Sequence, residues 1–358
     1  MYLVTTQRLL LIVRMGNLIT NFTKFCLKFI AKLILSRISE SLFIYKKIKK
    51  NKIHVFLYHD ISTNPSNFSK TYELNVTPEN FEKQLKFIKE NYQIISPNNL
   101  LNVKKTTKPL ALITFDDGLR SYFDIALPIL EVFDCPSLFF LNGGPIQKEP
   151  FWSGLAVYLC NHDKEFSLDL SNRKFLKTHG ARSYLYLKKS QVHNFFKNNS
   201  RLRENIYKKV NDFHGGFANE DDLIKVDGHP LVFFGNHLFN HYNAANITTS
   251  ELITNYTKNS EYLSRFKSFI PGIFSYPFGH PETCFNQSTN IALKKSGAKL
   301  IFSAISGGNK SVNQSIIQRI AMTDNLKSKP DIMKHITSRI ISSWYIRFKK
   351  RKLFQIRN

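Results

Sequence analysis

From Ile53 onward the hydrophobic positions fall into short, nearly unbroken runs separated by segments of helical period. Runs at 53–58, 93–96, 110–115, 137–141, 231–234, 272–276 and 299–304 read as strands, and the run at 110–115 is apolar almost throughout, as a strand covered on both faces should be. Between the first two runs Thr77-Pro78-Glu79 starts a helix, with Thr as the cap and Pro at the first helical position, and Phe81, Leu85 and Ile88 make its apolar stripe. Further helices are predicted at 121–133, bent by Pro128, and at 249–266 and 287–296. Alternation of this kind predicts an α/β fold with a parallel sheet or barrel, whose active groups gather at the C-terminal ends of the strands.

The pattern changes over 146–228, a polar stretch rich in Lys and Asn with no internal repeat, which reads as several helices inserted in the body. His162, His179, His193, His214 and His229 lie there without metal spacing and are expected to be solvated or packed. A chain of 358 residues with 42% hydrophobic and 22% charged residues can bury a sizeable core, which excludes disordered and collagen-like classes. Cys26, Cys135, Cys160 and Cys284 are scattered, giving neither a disulfide framework nor a cysteine zinc site.

Charge divides the chain into three. Of the net +25, residues 1–52 carry +10 and 339–358 carry +7, leaving an almost ordinary body at 53–338. In the N-terminal arm Phe22, Phe25, Phe29, Ile30 and Leu33 recur at helical spacing, with Lys24, Lys28 and Lys32 on another side: a basic amphipathic helix. Basic residues interrupt every run that might span a bilayer, and no secretory cleavage signal follows the short apolar stretch at 9–13. The C-terminal tail again mixes aromatic and basic residues, from Trp344 to Phe354. Both ends suit an anionic membrane surface, which predicts a cytoplasmic, peripherally attached protein; an envelope protein anchored by an uncleaved N-terminal segment is the alternative. Nucleic acid is not expected as a partner, because no reader module accompanies the charge.

Three strand ends carry candidate chemistry. Thr114-Phe115-Asp116-Asp117-Gly118 puts two carboxylates at one, where one could bind a cation and the other take a proton from water, although Asp-Asp-Gly alone is equally a turn. Gly235-Asn236-His237-Leu238-Phe239-Asn240-His241 ends another and sets two imidazoles four apart, on one side of a helical turn, able to chelate one ion. With one carboxylate they make three ligands and leave a position for water, the layout of a catalytic metal. Phe274-Ser275-Tyr276-Pro277-Phe278-Gly279 ends a third, where a backbone N–H after the Pro could serve an oxyanion.

In this order the three motifs resemble the polysaccharide deacetylase family, the NodB homology domain of carbohydrate esterase family 4. The resemblance covers roughly 53–325, allowing for the insertion. It implies a deformed (β/α) barrel and metal-dependent removal of acetyl groups from N-acetylated amino sugars in a polysaccharide or lipid-linked glycan. By that resemblance Asp116 is the general base, and Asp117, His237 and His241 hold a divalent metal, zinc foremost. The Phe278 N–H belongs to the oxyanion hole, while Tyr276, Pro277 and Gly279 join Phe278 in lining the sugar groove. Val55-Phe56-Leu57-Tyr58-His59-Asp60 is similar to the opening strand of the poly-N-acetylglucosamine deacetylase branch, which makes His59 the acid that protonates the leaving amine, since 316–320 holds no histidine. Two positions depart from the pattern: Leu238 replaces a hydroxyl residue, and Tyr276 stands where many members carry an Arg that orients the base. A catalytically inactive glycan-binding homologue is the alternative function.

Overall fold

A computed structural model describes Tyr45, Lys46 and residues 53–102, 108–312 and 316–349. Its strands are β1 (Ile53–Tyr58), β2 (Asp60–Ile61), β3 (Asn75–Val76), β4 (Gln93–Ile94), β5 (Leu110–Phe115), β6 (Ser137–Leu141), β7 (Val232–Asn236), β8 (Phe269–Ser275), β9 (Leu300–Phe302) and β10 (Ile320–Ala321). Every position of β1, β5, β6 and β7 is buried, which is why these strands read as nearly continuous apolar runs. Thr114, polar within β5, is tolerated because its hydroxyl donates to Phe56 O at 2.9 Å.

The main sheet runs β10-β1-β5-β6-β7-β8-β9 with β4 beside β5, and its pairings are all parallel. It curls until its two edges approach one another. Residues 317–321 span the gap: Ile317 bridges Phe302 at β9, while Ile320 pairs with Phe56 in β1. The expected deformed (β/α) barrel is thus a curled parallel half-barrel, with its C-terminal strand ends gathered at one mouth. The β7–β8 register slips between Phe234 and Asn236, where Pro271 lacks an N–H and Gly272 adopts φ +83°, a bulge that re-aims the end of β8.

Helices α1 (Pro78–Asn91), α2 (Trp152–Asn161), α3 (Lys189–Asn198), α4 (Arg203–His214), α5 (Thr249–Leu263), α6 (Gln287–Lys295) and α7 (Lys329–Lys349) surround the sheet, with shorter helical pieces between. In α1, Phe81, Leu85 and Ile88 are fully buried, as its stripe predicts. The helix expected at 121–133 is two pieces, a π turn at Tyr122–Ala126 followed by an α-helix at Leu127–Val132. Pro128 has no N–H to give the preceding turn, and the wider π turn accommodates it.

The insertion is helical and has its own small core, including Trp152, Leu155, Phe166, Phe195 and Val210. It returns beside the carboxylate strand: Ala218 N donates to Gly118 O and Arg120 N to Gly216 O.

Two boundaries drawn from charge do not follow the packing. Tyr45, assigned to the arm, is buried with its ring 6.1 Å from Phe87. Helix α7 runs through residue 339, with Ile332, Ile336 and Ile340 buried one turn apart, so the start of the basic tail belongs to the body. The amphipathic segment at 22–34 and residues 350–358 lie outside the described residues, and among the described residues no helix is long and apolar enough to cross a membrane.

Candidate metal centre and active site

The turn after β5 is built on two consecutive left-handed residues, Asp117 at φ +77° and Gly118 at φ +78°. Glycine adopts this freely, whereas Asp117 does so at a cost of about 1–3 kcal/mol, held by its surroundings. The turn points both carboxylates into the mouth of the sheet. Asp116 and Asp117 are nearly inaccessible, as are His237 and His241.

His237 follows β7 directly, but the expected helical turn between the two histidines is absent. Residues 237–243 form an irregular loop in which Leu238 and His241 take left-handed φ of +62° and +55°. Asparagines hold this shape instead of a helical ladder. Asn142 Nδ2 donates to the carbonyls of His237 and Leu238, and Asn236 Oδ1 accepts from Leu238 N at 2.8 Å and from Asn259 Nδ2 at 2.9 Å. Leu238 itself packs into an apolar cluster with Tyr256, Phe274 and Tyr276.

Asp117, His237 and His241 meet. Asp117 Oδ1 lies 3.0 Å from His241 Nε2 and 3.4 Å from His237 Nε2, and the two Nε2 atoms are 3.1 Å apart. They form a group whose ligand atoms all lie within 4.8 Å of one another. The far nitrogens fix what faces inward. His237 Nδ1–H donates to Ser275 O at 2.8 Å, which turns Nε2 inward, and His241 Nδ1 bonds the Ser153 hydroxyl of α2. Burial lowers the His241 pKa against the pull of Asp117, so the ring is neutral. Burial also works to raise the Asp117 pKa, but His241 and His237 outweigh it, and the carboxyl sits well below its usual range. Two imidazole nitrogens and a carboxylate oxygen converging on one point are a donor set that fits a divalent cation.

Asp116 has a different partner. Arg319, only 1% exposed, grips it with Nη1 to Oδ1 at 2.7 Å and Nη2 to Oδ2 at 2.6 Å. The same guanidinium donates to Ser275 Oγ at 2.8 Å and to Ser303 O at 2.9 Å. Burial pushes the Asp116 pKa up, yet Arg319 first and then His237 bring it below the ordinary value. The charge missing at Tyr276 is therefore present, supplied from the segment that closes the sheet. Arg319 is not among the residues the sequence motifs single out; its signal is a lone cation beside Gln318 in a mostly apolar run, which must find a buried partner.

His59, half-buried at the end of β1, faces the same cavity as Asp116, Asp117, His237 and His241. Phe278 also lines it, at φ +58°, and among the described residues its N–H donates to no protein group. Tyr276 lines the cavity too, although it is 1% exposed; its ring stacks on Phe285 at 4.4 Å, and its hydroxyl bonds Asn290 and Thr289 at 2.8 and 3.1 Å. Pro277 and Gly279 do not line the cavity. Gly279, at φ +64°, lets Ala304 approach so closely that a Cβ would lie 2.3 Å from its nitrogen. This loop is thus a frame that presents Phe278. His214 was expected to be packed or solvated, and it is packed: 1% exposed among Phe68, Phe151 and Phe217, with burial holding its pKa down to about 4.

A curled parallel half-barrel with these residues at its mouth has the architecture of the polysaccharide deacetylases, and comparison with known proteins finds the likeness in both sequence and fold. The poly-β-1,6-N-acetyl-D-glucosamine N-deacetylase of Escherichia coli K12 is 23% identical over 266 residues, covering 71% of this chain and 34% of that protein. The chain thus spans about a third of the length of this curated relative. IcaB from Ammonifex degensii superposes with a TM-score of 0.52 at 15% identity, over 80% of this chain and 99% of that one. The de-N-acetylase from Aggregatibacter actinomycetemcomitans gives 0.50 at 15% identity, over 79% and 99%. No family model matches the chain.

Proposed function

We propose that the protein is a metal-dependent N-deacetylase that hydrolyses the acetamide of an N-acetylated amino sugar, releasing acetate and a free amine. The observation that carries this reading is the buried convergence of Asp117, His237 and His241 beside the Asp116–Arg319 pair. The three ligands accept zinc and several other divalent ions. The chemistry expected of such an ion is Lewis acidity, which polarises a carbonyl and eases the ionisation of water.

The remaining steps belong to side chains and backbone. Asp116, kept ionised by Arg319, accepts a proton from the attacking water, and the two-point grip fixes the direction from which it does so. A pKa below the usual range makes it a weaker base but a permanently available one. The Phe278 N–H donates to the oxyanion that develops on the acyl oxygen. His59 passes a proton to the departing amine.

The test is acetate release from N-acetylated glycans with metal analysis of the same preparation. Asp117→Asn and His237→Ala should lose both bound metal and acetate release, and chelation should abolish activity reversibly. Full activity in those variants and after chelation would refute the reading.

The charge at the two ends supports a second element, attachment to anionic membrane at the cytoplasmic face, close to a lipid-carried or nascent glycan. Flotation of the full chain with phosphatidylserine-containing vesicles, and not with neutral ones, is the expected result; equal partitioning would remove this element.

A further inference from the structure

The cavity above the three ligands has a volume of about 500 Å³, within the roughly 300–1,000 Å³ that holds one small molecule. Away from the reacting group its lining changes character along the chain. Residues from before β7 are mostly aromatic or aliphatic, Phe68, Leu74 and Val157 among them, whereas His280, Ser306, Arg339 and Ser342, from the chain after β8, add polar groups.

The docking of α7 brings Arg339 and Ser342 to this wall. His335 Nε2–H donates to Ala321 O at 2.8 Å, which seats the helix on the end of β10, and Ala321 itself lines the cavity. Further along, Ser343 packs so closely on Gly307 that a Cβ there would lie 2.7 Å from Ser343 Oγ. Arg339 stands one helical turn beyond His335, Ser342 is the neighbour of Ser343, and Ser306 is the neighbour of Gly307. The two contacts thus hold α7 against the loop after β9, with Arg339 between them.

Two carboxylates and two guanidinium groups line the cavity, those of Asp116, Asp117, Arg319 and Arg339. Asp116 is gripped by Arg319, and Asp117 lies against the two histidines. Arg339 is exposed and has neither an ion-pair nor a hydrogen-bond partner among the described residues. The hydroxyl of Ser306 is likewise unengaged among them. Hydrolysis of a neutral acetamide gives this cation nothing to do, and any divalent ion on the three ligands adds charge of the same sign. Resting on the hydrolase reading above, we propose that this wall is an anion subsite: the N-acetylated amino sugar that enters carries a phosphate or a carboxylate, on itself or on the sugar joined to it, and Arg339 holds that acid while the acetamide faces Asp116. A planar guanidinium suits either acid, and the Ser306 hydroxyl is a further donor to it.

The test is titration calorimetry on the full chain loaded with zinc. N-acetylglucosamine 1-phosphate, N-acetylglucosamine 6-phosphate and N-acetylglucosamine linked to glucuronic acid are compared with the neutral methyl glycoside of N-acetylglucosamine. At least one acid-bearing ligand should bind about fivefold more tightly than the neutral one at low salt, as one exposed charge pair allows, and the advantage should shrink at high salt. Which ligand gains distinguishes phosphate from carboxylate. Arg339→Gln should erase the advantage, and Arg339→Lys, which keeps the charge without the fork, should retain part of it. The inference is overturned if no acid-bearing ligand gains, or if the gain survives Arg339→Gln, as it would were the acid bound by zinc alone. It is equally overturned if Arg339→Gln leaves the ligand ratio unchanged and instead weakens flotation with phosphatidylserine vesicles, which would assign the cation to lipid. Acetate measured in the same samples keeps the two readings apart. Release from the neutral glycoside with no preference for acid leaves the hydrolase reading standing and removes the subsite, whereas an Arg339-dependent preference without acetate release does the reverse.

Discussion

Replacing Arg319 by Met removes a buried cation and leaves the buried Asp116 carboxylate with only the weaker pull of His237 and His59. Four hydrogen bonds disappear: two to Asp116 and one each to Ser275 Oγ and Ser303 O. Breaking one partner out of a buried ion pair costs about 3–5 kcal/mol, because the survivor keeps its desolvation penalty. Arg319→Met should lower unfolding free energy by that amount, seen as a fall in the urea midpoint. With the carboxylate no longer aimed, acetate release should fall roughly 10²-fold, the effect expected of about 1 Å of misplacement at a reacting group. Arg319→Lys keeps the charge but offers a point donor in place of a planar fork, so it should fold nearly normally yet lose activity. In an Asp116→Asn background the same Arg319→Met change should be less costly, with a coupling of at least about 1 kcal/mol between the two sites. Activity within twofold of the parent, together with coupling below about 0.5 kcal/mol, would show that Arg319 does not hold the base.

Three further outcomes follow from the same contacts. Ser153→Ala removes the partner of His241 Nδ1 and should weaken zinc binding roughly 10–100-fold in a chelator competition titration, with acetate release restored at high zinc. Gly279→Ala places a Cβ 2.3 Å from Ala304 N at a left-handed φ and should destabilise by more than about 1 kcal/mol, and by more than Gly228→Ala, where the nearest atom is 4.0 Å away. His335 has its pKa lowered to about 4 by burial, with its Nε2–H given to Ala321 O and Arg339 nearby. The unfolded chain takes up a proton near pH 6.5, whereas the folded one waits until about 4. Stability should therefore fall as pH drops from 6.5 towards 4, by at most about 3 kcal/mol from this residue, and His335→Gln should flatten that part of a urea-midpoint profile.

The parts legible in the sequence share one physical property: they are local. Strands buried on both faces have no polar side to write into the chain, so β1 and β5 stand out as apolar runs broken only by His54 and Thr114, with the bounds the structure gives them. Asp117, His237 and His241 were found because each immediately follows or closely trails such a run, and a parallel sheet carries strand ends to one mouth. The spacing of the two histidines was read correctly as a pair and wrongly as a helical turn. Left-handed backbone occurs at Leu238 and His241 without glycine, and at Leu238 it is held by Asn142 and Asn236. Arg319 and Ser153 were missed for a common reason. Each acts on a residue far away in the chain, and neither sits in a motif that names its partner. Charge composition separated the two ends from the body but placed the boundaries by net charge alone, so Tyr45 and the middle of α7 fell on the wrong side.

The pairing of Asp116 with Arg319 joins residues 203 positions apart. At ordinary translation speeds of about 5–20 residues per second, the carboxylate leaves the ribosome roughly 10–40 seconds before its guanidinium exists. Throughout that interval β1 lacks its neighbour β10, and the half-built domain has an acidic group bound for its interior with no counter-charge to accompany it. Complete inward collapse of the mouth is thus disfavoured until the last strand arrives. The nascent protein is kept from settling early, and the closing of the sheet and the arming of its base become one event.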